Sequence, residues 1–66
     1  MYIEKYTAHI NDTLTKKTFK IIIDEDFVQS AHKKIFNKLS NFQDIVKITN
    51  FNNETVYSID SGFINN

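Results

Sequence analysis

Cysteine, proline, tryptophan and arginine are all missing from this chain, and glycine occurs once, at Gly62. Each absence removes a class of chemistry. Without cysteine there is no disulfide framework, no thiolate metal site and no thiol nucleophile. A single glycine cannot supply a glycine-rich loop that cradles phosphate. Without arginine there is no bidentate guanidinium clamp, and all eight basic side chains are lysines, which act as point charges. No apolar run approaches the roughly 18 residues that a membrane span needs, and the first residues alternate apolar and charged side chains (Tyr2, Ile3, Glu4, Lys5, Tyr6). A cytoplasmic protein with no targeting segment and no membrane association is expected.

What remains is a small amphipathic chain. Its 66 residues are expected to form one domain, near the size at which folding buries only roughly 60% of the unfolded surface. A core of this size rarely supplies more than about 3 to 5 kcal/mol, so pairing with another copy or with a partner would add needed burial. Lysine, isoleucine and asparagine together make up 26 of the residues. All three have A/T-rich codons, which suggests a low-GC genome and, for so short a chain, a bacteriophage or other mobile element.

Hydrophobic spacing gives the elements. Residues 2–10 and 15–23 are predicted as strands joined at Asn11-Asp12-Thr13, with Phe19, Ile21 and Ile23 on one face of the second and Tyr2, Tyr6, Ala8 and Ile10 in phase on the first. A helix is predicted over 26–41, capped by Asp26 with Gln29 three residues on. Its apolar stripe is Val28, Ala31, Ile35, Leu39 and Phe42, with Phe27 and Phe36 on opposite flanks. A second hairpin is predicted over 44–60 around Asn52-Asn53, followed by a short tail, 61–66. The fold class is therefore α+β: a β-β-α-β-β domain with an antiparallel sheet of about four strands and one helix packed on one face. The other face lacks a cover. Ile3 and Ile22 are expected there among Thr7, Thr18, Lys5 and Lys20, joined by Val56 or by Ile45 and Phe51.

Charge is segregated although the net value is zero: residues 24–26 carry three acids, and 27–42 carry only basic charge, at Lys33, Lys34 and Lys38. With Lys16, Lys17 and Lys20 of the first hairpin, these lysines are the candidate contacts to nucleic-acid phosphates. Such binding would be non-sequence-specific, because the commonest base-reading side chain, arginine, is absent. Asp24-Glu25-Asp26 has the makings of a hard-cation site, but a helix N-terminus explains the acids more simply, so no metal and no cofactor are expected. His9 and His32 are the only imidazoles, and no serine stands from either at the spacing of a known catalytic arrangement. Catalysis is not expected.

Nine aromatic side chains remain to be placed. Phe19, Phe27, Phe42 and Tyr57 fall in apolar phase and are expected in the core. The surplus, Phe36, Phe51, Phe63 and one of Tyr2 or Tyr6, together with Ile3 and Ile22, is expected at a contact surface. The leading expectation is a non-enzymatic module that binds and modulates or inhibits a host protein, of the anti-defence or host-takeover type. A lysine-driven nucleic-acid accessory and a structural homodimer are the alternatives.

Overall fold

The computed structural model describes residues 2–64. In chain order the elements are β1 (Glu4–Asp12), β2 (Lys17–Glu25), α1 (Val28–Phe36), β3 (Gln43–Thr49), β4 (Thr55–Ser58) and β5 (Gly62–Phe63). All strand pairs are antiparallel, and the sheet order is β2-β1-β3-β4-β5. The expected α+β architecture is present with one correction: the sheet has five strands rather than about four. The fifth comes from the segment taken as a tail, where Gly62 at φ 72° turns the chain back and Phe63 pairs with Tyr57. That left-handed conformation strains any residue with a Cβ, which is why the one glycine stands there.

The first turn lies two residues later than spacing suggests. Asp12 closes the hairpin opposite Lys17, and its Oδ1 accepts hydrogen bonds from the backbone N–H groups of Leu14 and Thr15 at 3.0 Å each. The side chain thus builds the turn that it was expected to occupy. Thr15 first, then Gln43, holds the Asp12 carboxyl below the usual carboxylate range. In the second hairpin Asn50 does the same work, its Oδ1 accepting from Asn52 and Glu54 at 2.9 and 3.0 Å, while Asn53 takes φ 63°. β3 and β4 are accordingly shorter than the strands expected over 44–60.

The helix is also shorter than expected. It has nine residues, its N-cap is Phe27, and no side chain caps it. Asp26 accepts instead from the adjacent Phe27 N–H at 2.8 Å, and Asp24 and Glu25 belong to β2. The acids therefore do not complement a helix terminus. At the other end, Lys38 and Leu39 donate to the carbonyls of Ile35 and Phe36, tight turns that lead the chain out of the helix after Phe36.

A nine-residue helix spans about 13 Å, whereas β1 and β2 extend about 30 Å. α1 lies over β1, β2 and β3, and the segment after it covers part of the remainder: Leu39 packs on the core, and Thr13 donates from N and Oγ1 to the Phe42 carbonyl at 2.8 and 2.9 Å. The core consists of Tyr6, Ala8, Ile10, Ala31, Ile35, Ile45 and Ile48, with Ile21 and Ile23 against it. Ile45 and Ile48 share the covered face despite their odd spacing, because a register shift between His9 and Ile10 gives β3 a bulge. Of the two alternatives for the open face, Ile45 is thus in the core and Val56 packs against it, so neither joins Ile3 and Ile22 there. Phe19, Phe27 and Phe42, expected in the core, are 40%, 64% and 51% exposed. The helix is too short to reach over them, and Phe27 lies outside it.

Candidate functional site

Four rings from three elements converge beside α1. Tyr57 pairs with Ile48 across β3 and β4 and with Phe63 across β4 and β5, which puts both rings on the helix side of the sheet. His32 and Phe36, four residues apart, project from the same helix face toward them. The His32 ring stacks on Phe36 at 6.0 Å between centroids and 8° between planes. It lies 4.6 Å from Tyr57 and meets Phe63 edge-on at 5.4 Å, while Tyr57 and Phe63 are 5.0 Å apart. Such pairs contribute about 0.5 to 1.5 kcal/mol beyond their buried area, enough to hold β5 against the helix flank. His32 and Tyr57 are half-buried, and burial lowers the His32 pKa, so the ring is favoured in its neutral form. Phe36 remains 61% exposed. On its other side Phe36 lines a hollow of about 240 Å³ with Leu39, Ser40, Asn41, Gln43 and Asp44.

Of the residues expected at a contact surface, the structure brings together Phe36 and Phe63. Ile3, Ile22 and Phe51 are 54%, 62% and 73% exposed but stand elsewhere. Ile22 lies on the open face opposite Thr7, and Ile3 precedes β1 in phase with that face. Phe51 sits in the β3–β4 turn, where its N–H approaches Glu4 Oε1 at 3.4 Å. The open face is thus mainly polar.

The lysines do not form one surface either. Lys16, at φ 60°, and Lys17 lie at the β1–β2 turn, Lys20 is on the open face, and Lys33, Lys34 and Lys38 lie on or just after the helix. Lys34 is paired with Glu25, which raises its pKa. Among the described residues no three histidines or acids are grouped to hold a metal ion, and no helix is long and apolar enough to cross a membrane.

Sequence reasoning missed His32 as the centre of the cluster, although its spacing from Phe36 was legible. It also missed the neighbourhood of His9. That ring is half-buried on the open face, and its pKa is lowered by burial, then by Lys47, then by Lys20. A second hollow, of about 270 Å³, opens there. The chain matches no known family model, no curated protein and no solved structure.

Proposed function

We propose that this chain is a small non-enzymatic protein-binding module that docks a host protein through the α1 flank at Phe36, His32 and Phe63. The observation that carries this reading is the gathering of two exposed phenylalanines around one half-buried histidine, next to a hollow of about 240 Å³. Exposed aromatic surface of this kind marks contact sites, and an aromatic anchor beside a recess suits reciprocal insertion of a partner's side chain. The excess of lysine, isoleucine and asparagine, whose codons are A/T-rich, supports a phage or mobile-element origin, and a module from that source that needs only shape to act fits modulation or inhibition of a host protein.

A homodimer has one observation in its favour: β2 is a nine-residue strand at the edge of the sheet, a template for pairing with another strand. One experiment separates the readings. Tagged chain, co-expressed with an untagged copy, is captured from lysate in nuclease-treated and untreated halves and washed at high salt. A single protein in near-stoichiometric amount in both halves is the expected result. Recovery of the untagged copy alone would transfer the assignment to a homodimer, and loss of the partner with nuclease would overturn the protein-binding reading.

A further inference from the structure

On the sheet face away from α1, two lysines flank a histidine in one cross-strand row. Cross-strand pairing sets Lys20 of β2 opposite His9 of β1, His9 opposite Lys47 of β3, and Lys47 opposite Ser58 of β4. With neighbouring strands about 4.8 Å apart, the two lysine backbones stand roughly 10 Å apart with His9 between them. The two ammonium charges are therefore not directly opposed; they flank an imidazole that burial and both lysines hold in its neutral form. No carboxylate stands in this row. By register the acids on this face are Asp24, opposite Lys5, and Asp44, opposite Asn11, and Asp60 lies two residues beyond Ser58 in the β4–β5 turn. The one ion pair among the described residues joins Lys34 to Glu25, so among those residues no acid is paired with Lys20 or Lys47.

The row also has space beside it. The hollow of about 270 Å³ is lined by His9, Ile10, Thr18, Phe19, Lys20 and Val46. Val46 lies at the β3 bulge, where the ladder against β1 skips from Ile45 to Lys47. Thr18 and Ser58 bring hydroxyl donors to this part of the face, although Ser58 Oγ also accepts from the Ser61 N–H at 3.0 Å. Two cations flanking a neutral ring beside a hollow concentrate positive potential there, and an anion between the lysines would be attracted by both.

We propose that this face is a phosphate-binding site, in which Lys20 and Lys47 hold a phosphate group over His9 and the adjoining hollow. Lysine ammonium groups bind phosphate as point charges, without the planar fork of arginine. The site is on the opposite side of the sheet from the ring cluster, and the two stand or fall separately.

His9 is the reporter. Burial, then Lys47, then Lys20 lower its pKa; the other charged groups on this face are Lys5 further along β1, Asp24 and Asp44, with Asp60 in the β4–β5 turn. A bound phosphate offsets the lysines and raises the His9 pKa. The test follows both histidines by NMR during titration with sodium pyrophosphate and, in a second arm, with a short single-stranded oligothymidine, each against sodium chloride of equal ionic strength. The expected result is a saturable rise of about half a unit or more at His9, with His32 unmoved. Response to pyrophosphate assigns a small phosphorylated ligand, and response to the oligonucleotide alone assigns the phosphates of a nucleic-acid strand. The Lys20→Gln, Lys47→Gln double variant should lose the response and melt no lower than the parent, since neither lysine is paired with an acid among the described residues. No response to either probe, an equal shift in chloride, an unchanged response in the variant, or a lower melting temperature would overturn the site.

Discussion

Phenylalanine is the usual filler of a small core, yet all six here are exposed, from 39% at Phe63 to 73% at Phe51. Their place is taken by isoleucine and alanine with one buried tyrosine, Tyr6. Apolar phase along a strand identifies the side a residue faces, and it identified Tyr6, Ala8, Ile10, Ile21 and Ile23 correctly. It carries no information on how far the covering element extends, which decided Phe19 and Phe42. The two histidines carry a prediction at this scale. Both have pKa values below the ordinary 6.5, His32 through burial and His9 through burial and then its lysine neighbours. The folded state therefore favours neutral rings. Their contribution is fully present above about pH 6.5 and is lost as the pH falls through the lowered values of the folded state. The urea midpoint should be lower at about pH 5 than at about pH 7.5, with both rings titrating below their ordinary value by NMR. Rings titrating at the ordinary value would contradict this account.

At the scale of elements, the order β-β-α-β-β was legible because each half reads as two strands joined by a short polar turn. The boundaries were not, since side chains rather than spacing set them. Asp12 and Asn50 build the turns that follow them, and both strand ends moved accordingly. Asp26 resembled a helix cap in the sequence, but its hydrogen bond to the neighbouring Phe27 N–H leaves the helix starting one residue later with no capping side chain. β5 was missed because two residues show no periodicity. The uncapped terminus leads to a second prediction. Phe27 holds the N-cap position while 64% exposed, so Phe27→Ser supplies a hydroxyl acceptor to the first turn and sacrifices little burial. Thermal and urea melts should show a gain of about 1 kcal/mol. A loss of similar size would mean that the Phe27 ring contributes packing that its exposure conceals.

The whole molecule is elongated, 37 by 21 by 16 Å, because a long β1–β2 hairpin carries a much shorter helix. That mismatch leaves aromatic surface on the helix side and a polar, lysine-bearing face on the other. The exposure of Ile3, Ile22, Phe36, Phe51 and Phe63 was legible residue by residue, as apolar side chains in surplus of what one helix covers. Their grouping was not, because it depends on Gly62 returning Phe63 to the sheet beside Tyr57 and His32. The central claim is that this grouping is a protein-docking surface. The most direct measurement compares partner recovery by the parent chain, by Phe36→Glu and by the Lys20→Gln, Lys47→Gln variant, with melting curves of all three. Phe36→Glu should remain folded, melting a few degrees below the parent for the lost stacking on His32, and lose partner recovery by about tenfold or more, while the lysine variant recovers it fully. Undiminished recovery by Phe36→Glu, or unfolding of that variant, would contradict the claim.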